Sequence, residues 1–289
     1  MKELRDKVAV ITGGAGGIGR AVAERLATEG VRLVLADIEE PVLAETTAVL
    51  RGAGATVIGV PTDVSKIDSV RALAERTLSE FGAVHIVCNN AGVASRSVID
   101  TSIEEWEWLL GVNLWGVIHG CHVFAPLLRD QDEGHIVNTA SLAGLRGIGI
   151  LGTYCTSKFA VVGLSESIQN EFTTAGSAVR VSVLCPSFVR TRIGESSRNM
   201  PAELAATHSA ERAAEMTGFV HQMMEGAMDP AIVANQVLDA IVTERFYILP
   251  HPELAYAATQ DRLAWMAAGG PVAPGGEERT LTDALRPPS

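Results

Sequence analysis

Tyr154 and Lys158 stand four residues apart, and on a helix that spacing puts both side chains on one face, one turn apart. A phenol with a reference pKa near ~10 is a poor base at neutral pH. A neighbouring ammonium favours the phenolate and draws that value towards working pH. The pair therefore reads as an acid/base couple that moves a proton to or from an oxygen. Ser141 follows the strand-like run at Ile136 and Val137 and adds a hydroxyl beside the phenol. Tyrosine and lysine also share helix faces that do no chemistry, so the meaning of the pair depends on the elements upstream.

The first of those elements is a strand, Val8 to Ile11, apolar throughout as expected for a parallel strand buried on both faces. It breaks into Thr12-Gly13-Gly14-Ala15-Gly16-Gly17-Ile18-Gly19. A helical pattern follows through Ala21, Val22, Leu26 and Ala27, then a second strand, Leu33 to Ala36, that ends at Asp37. Strand, glycine-rich turn, helix, strand and acidic residue in this order predict a dinucleotide site. The glycines let the backbone approach a pyrophosphate, and the helix N-terminus supplies oriented N–H groups. Asp37 is placed to accept hydrogen bonds from an adenosine ribose. A carboxylate there repels a 2′-phosphate, Ile38 offers no cation, and Gly13 to Gly19 contain no basic residue, so NAD(H) is favoured over NADP(H). The nearest cations, Arg20 and Arg32, are expected to face solvent.

Further along, helical pattern (Pro41 to Arg51, Ile67 to Phe81) alternates with strand pattern (Thr56 to Val60, Val84 to Cys88). Ser65 is a candidate N-cap for the helix at Ile67. Asp63 either touches the adenine or caps. The fourth strand opens into Asn89-Asn90-Ala91-Gly92. One long helix is expected from Ser102 to about Leu128; within it Asn113 reads either as a buried amide bonded to backbone or as a functional group. The same helix carries His119 and His122, a metal-like fragment without a second ligand cluster at useful spacing, so no metal is expected. Strands at Ile136 to Ala140, Val179 to Cys185 and Phe246 to Pro250 complete a doubly wound Rossmann-type α/β fold. It comprises a mainly parallel seven-stranded sheet with helices on both faces. Ligands of such sheets bind outside the carboxyl ends of the strands, where the glycine turn, the Asn89–Gly92 turn and Ser141 all fall.

Composition narrows the function classes. The 289 residues are 47% hydrophobic and 20% charged, an ordinary globular mixture. A formal net charge of −11 and the lack of a Lys/Arg run argue against a nucleic-acid partner. No signal-peptide pattern and no apolar run of membrane length are read, so a cytoplasmic protein is expected. The scattered Cys88, Cys121, Cys155 and Cys185 suit reduced thiols. Cys155 adjoins Tyr154 and is read first as a small packing residue.

The chain resembles the short-chain dehydrogenase/reductase family over about Lys7 to Pro250. The family's Thr-Gly-x-x-x-Gly-x-Gly matches Thr12, Gly13, Gly17 and Gly19, its Asn-Asn-Ala-Gly matches Asn89 to Gly92, and its Tyr-x-x-x-Lys matches Tyr154 and Lys158. The family's serine matches Ser141, 13 residues before the tyrosine, and its catalytic asparagine matches Asn113. The resemblance implies that Tyr154 is the acid/base and that Lys158 lowers its pKa and holds the nicotinamide ribose. Ser141 binds the substrate oxygen, and Asn113 anchors a water on the proton path. It places NAD(H) against Gly13, Gly17, Ile18, Gly19, Asp37, Asp63, Val64, Asn90, Ala91, Gly92, Tyr154, Lys158, Pro186, Val189 and Thr191. One departure is Pro186-Ser187, where the family has Pro-Gly, which puts the local backbone geometry in doubt.

Residues 1–252 are expected to form one catalytic domain, with 191–229 as a substrate lid and 253–289 as a C-terminal helix and Pro/Gly-rich tail. Met200, Pro201, Leu204, Met216, Phe219, Met223, Met224 and Met228 read as an adaptable apolar lid or, equally, as amphipathic packing. The loop Leu142 to Thr153 is apolar apart from Arg146. Interconversion of a bulky apolar secondary alcohol and its ketone is the leading function, in a homodimer or homotetramer. A weaker resemblance points to a branch containing dehydrogenases for benzylic alcohols of aryl ethers. The alternatives are a cofactor-binding regulator without turnover, or reduction of another carbonyl such as a sugar or a 3-oxoacyl thioester.

Overall fold

The computed structural model describes residues 1–94, 97–205 and 226–270. Seven strands form one sheet: β1 (Val8–Thr12), β2 (Arg32–Asp37), β3 (Val57–Pro61), β4 (Ile86–Asn89), β5 (His135–Thr139), β6 (Arg180–Leu184) and β7 (Tyr247–Ile248). Their spatial order is β3-β2-β1-β4-β5-β6-β7, and every neighbouring pair is parallel. The expected mainly parallel sheet is thus wholly parallel among the described residues. Strand order reverses between β1 and β4, and a crevice opens there at the carboxyl edge.

Alternation along each strand builds two cores. Ala9 and Ile11 of β1, with Leu33 and Leu35 of β2, face α1 (Gly17–Thr28). Val8, Val10 and Val34 face the other way, towards α3 (Ile67–Phe81). Both sets are buried, which is why these strands read as unbroken apolar runs. Each fully buried Leu or Ile contributes about 1.5–3 kcal/mol of transfer free energy. The other α-helices among the described residues are α2 (Glu40–Gly52), α4 (Ile103–Leu110), α5 (Gly116–Asp130), α6 (Gly152–Thr174), α7 (Ala202–Ala205), α8 (Pro230–Thr243) and α9 (Pro252–Ala268).

Two helix expectations change. The long helix does run without a break from Ile103 to Asp130, but a π-helical turn, Gly111–Trp115, interrupts its α register at Asn113. By length and composition that run could cross a membrane. Burial of Leu109, Asn113, Val117, Phe124 and Leu128 instead makes it a core helix of this fold. Secondly, Ser65 does not cap α3. Its N–H and Oγ both donate to Asp63 Oδ1, at 2.9 and 2.6 Å, which closes a local turn and moves the cap position to Lys66.

Candidate active site

Thr12 ties the two loops of the crevice together. Its hydroxyl accepts the backbone N–H groups of Asn90 and Ala91 at 2.9 and 3.1 Å, and Asn90 Nδ2 donates back to the Thr12 carbonyl at 3.0 Å. The glycine turn then enters α1. Gly17 has φ +52°, and a Cβ there would lie 2.9 Å from Thr191 Cγ2; at Gly19 a Cβ would lie 2.2 Å from the Gly13 carbonyl oxygen. Only glycine fits at either position. No side chain caps α1, so its first-turn N–H groups stay available to an anion. Asp37, at the end of β2, accepts from Ala15 N–H at 3.0 Å and Glu39 N–H at 3.1 Å. Burial nevertheless raises the Asp37 carboxyl above its usual range, against the lowering by those N–H groups.

These features line one cleft of about 1840 Å³ that runs from Asp37 to Tyr154. All the site residues named from sequence border it except Gly19 and Asn113, which stand behind its wall. The uncapped helix end, the glycine cradle and the carboxylate at the strand end fit a dinucleotide. Asp63 and Val64 border the cleft as well, although Asp63 Oδ1 is taken up by Ser65. Ser187 does not belong to the described non-glycine residues with positive φ, and its N–H donates to His251 Nδ1 at 3.3 Å. Losing the family glycine there therefore costs no backbone strain.

At the other end, α6 presents Tyr154 and Lys158 to the cleft, with Lys158 2% exposed. Lys158 Nζ donates to the Thr139 carbonyl at 2.8 Å and lies 5.5 Å from the centroid of the Tyr154 ring. Burial pushes the ammonium down to about 8. The phenol goes up to about 12 because burial dominates, with a hydrogen bond from Ser141 working against it. The Tyr154 shift is thus set first by burial, while the Lys158 ammonium is held by the Thr139 carbonyl. Ser141 Oγ also accepts the Ala143 N–H at 3.1 Å. Asn113 is fully buried; its amide bonds Val93 on both sides and reaches Ser157 Oγ at 3.4 Å. Cys155 is buried, accepts the Ile148 N–H at 3.3 Å, and its thiol is raised by burial, as suits a packing role.

A family model for short chain dehydrogenases matches residues 7–202. The chain belongs to the short-chain dehydrogenase/reductase family. It is therefore an oxidoreductase. This short-chain dehydrogenase is 32% identical over 257 residues to a C alpha-dehydrogenase of Sphingobium sp., covering 88% of this chain and 83% of that one. It is also 32% identical over 259 residues to a CLA biosynthesis dehydrogenase/reductase of Lactiplantibacillus plantarum, covering 88% and 91%. A short chain dehydrogenase/reductase from Burkholderia phymatum, solved in complex with NAD, superposes with a TM-score of 0.90 at 43% identity over 96% of this chain and 100% of that one.

The dehydrogenase's cleft is also lined by the apolar side chains Val93, Ala94, Leu142, Ile148, Leu151, Phe188, Ile193, Met200, Pro201 and Leu204. Arg146 turns away from it to pair with Asp261 of α9 at 3.1 Å. Met228 is not part of this wall: it joins a bridge with Val189 and packs on the core. Met216, Phe219, Met223 and Met224 lie outside the described residues. Among the described residues no group of three or more His, Cys, Asp or Glu could hold a metal. His119 Nδ1 sits 2.9 Å from the Val64 carbonyl. Sequence reasoning missed Glu39, Arg198 and Ser196. Ser196 Oγ accepts the Ala94 N–H at 2.8 Å, so it fixes the segment after β6 to the loop after β4.

Proposed function

We propose that this dehydrogenase interconverts a bulky apolar secondary alcohol and its ketone with NAD(H), using Tyr154 as the acid/base. The observation that carries the reading is the cleft itself, which joins the glycine cradle and Asp37 to Ser141, Tyr154 and Lys158 and is also lined by Leu142, Ile148, Leu151, Phe188 and Met200. Gly13, Gly17, Ile18, Gly19, Asp63, Val64, Asn90, Ala91, Gly92, Pro186, Val189 and Thr191 would hold the dinucleotide, with Asp37 on the adenosine ribose. When bound, the nicotinamide supplies hydride donation and acceptance. Burial raises the Tyr154 phenol, which favours the protonated form that donates to a ketone oxygen. In the oxidation direction the phenol must first ionise, and that step becomes easier as pH rises.

Ser141 orients the substrate oxygen and stabilises charge as it develops there. Lys158 carries the proton path away from the phenol. A Cβ added at Gly92 would meet Asn113 Oδ1 at 3.4 Å and Lys158 Nζ at 3.7 Å, so both groups converge beside that glycine, and Asn113 would anchor the water that continues the path. Of the 191–229 lid, Thr191 to Ala205 supply residues that border the cleft, and 206–225 lie outside the described residues; exposed Trp115 and Ile103 on the π-interrupted helix support a homo-oligomer.

A coenzyme A thioester is disfavoured because Glu104, Glu105, Glu107, Glu195 and Glu203 border the cleft, while its arginines, Arg192 and Arg198, already face carboxylates. The test is NADH formation across benzylic, terpene, steroid and sugar alcohols. Turnover confined to bulky apolar members supports the reading. Turnover confined to sugars overturns the substrate class, and binding of NADH without any turnover favours a regulator.

A further inference from the structure

Glu39 lies two residues beyond Asp37, on the bank of the cleft where the adenosine ribose would rest. Asp37 Oδ1 accepts the Glu39 backbone N–H at 3.1 Å, so the two carboxylates are fixed relative to one another. The Glu39 side chain is clasped by residues from the far bank. Arg198 donates to Glu39 Oε1 from Nε at 2.9 Å and from Nη2 at 2.5 Å, and Asn199 Nδ2 donates to the same oxygen at 3.0 Å. Arg192 Nη1 stands 3.9 Å from Glu39 Oε2. Arg198 Nη1 is spent on the Arg192 carbonyl at 3.0 Å. The pair is partly shielded, with side-chain exposures of 20% for Glu39 and 31% for Arg198, so solvent screens it less than a free surface pair.

The clasp sets a problem in cofactor choice. Two arginines border the adenosine end of the cleft, and an arginine is the residue type that binds a 2′-phosphate in a fork of N–H donors. Asp37 alone would face that attraction. Glu39 removes it, because each guanidinium is turned onto a carboxylate: Arg198 onto Glu39, Arg192 onto Glu195 at 3.0 Å and towards Glu39.

We infer that Glu39 is a second determinant of cofactor choice, acting by neutralising Arg198 so that it does not serve a 2′-phosphate, while Arg192 is held by Glu195. The inference rests on the NAD(H) reading of Asp37. It differs from that reading in mechanism: Asp37 repels the phosphate, whereas Glu39 withholds its partner.

The experiment is a fluorescence titration of NADH and of NADPH against the wild type, Glu39→Gln, Arg198→Met and the double variant. Glutamine keeps the size and an acceptor oxygen but leaves the guanidinium charge uncompensated. The expected result is a roughly tenfold narrowing of the NADPH-to-NADH Kd ratio in Glu39→Gln, through tighter NADPH, as one charge-assisted contact would give. Arg198→Met alone brings no gain for NADPH, and adding it to Glu39→Gln restores the wild-type ratio. An unchanged ratio in Glu39→Gln, or a narrowing that survives loss of Arg198, overturns the inference. A wild type that prefers NADPH would instead sink the reading of Asp37. The step between wild type and Glu39→Gln would still decide the role of Glu39.

Discussion

The side-chain amide of Asn113 closes a ring of two hydrogen bonds with the backbone of Val93: Oδ1 accepts its N–H at 2.8 Å and Nδ2 donates to its carbonyl at 2.9 Å. That ring joins the π turn of the long helix to the loop after β4, and so sets one wall of the catalytic end. π turns cost regular hydrogen bonding and tend to persist where function needs a displaced side chain. Here the displacement brings a fully buried amide onto the backbone N–H and carbonyl of Val93.

Asn113→Ala leaves the Val93 N–H and carbonyl buried without those partners. The expected loss is about 3 kcal/mol of unfolding free energy, with turnover falling alongside it. Urea denaturation checks this. A midpoint within error of wild type would mean that water or a backbone shift replaces the amide.

Gly120→Ala tests the packing behind the same loop. A Cβ at Gly120 would fall 1.9 Å from Asn89 Oδ1, and the Asn89 amide is held by Asn138, which accepts its Nδ2–H at 2.8 Å. With Asn89 tied to Asn138, the added methyl is accommodated by moving the helix away from β4. A loss of about 2 kcal/mol is expected, read as a lower thermal midpoint. Unaltered melting would show that the helix shifts at no cost.

Much of this arrangement was legible in the sequence, because the informative patterns are local. A strand, a glycine turn, a helix and an acid occur within one short stretch, and Tyr154 and Lys158 lie one helical turn apart. The features that escaped depend on tertiary distance. Glu39 and Arg198 are separated by 159 positions, with no periodicity linking them. Ser65 has the composition of a cap, yet Asp63 competes for its N–H and hydroxyl and wins. The π turn is a matter of backbone registry that side-chain pattern does not encode. The pKa of Tyr154 turned on burial, whereas spacing alone had drawn attention to the lysine.

Acid stability should report on His135. It is fully buried on β5; Ser182 Oγ donates to the Arg245 carbonyl at 2.6 Å and receives His135 Nε2–H at 2.7 Å, so Nδ1 is left without a partner. Burial lowers the imidazole to about 3, against an ordinary value of 6.5. The folded state therefore keeps His135 neutral where the unfolded chain takes up a proton. Stability contributed by the neutral ring is fully present above pH 6.5 and falls as pH drops towards 3, by about 1 kcal/mol per pH unit. Denaturant midpoints between pH 7 and 4 should fall more steeply for the wild type than for His135→Gln. Equal slopes would contradict the assignment.

The central claim is that the Tyr154 phenol moves the substrate proton while the rest of the cleft binds the dinucleotide independently of it. It is tested most directly by Tyr154→Phe, which removes one oxygen atom. NADH binding is followed by fluorescence, and turnover is measured on whichever alcohol the wild type oxidises. The account predicts an NADH Kd within about twofold of wild type together with loss of more than ~99% of turnover, equivalent to about 2.7 kcal/mol or more of transition-state stabilisation. Retention of more than a few per cent of activity, with NADH still bound, would contradict it.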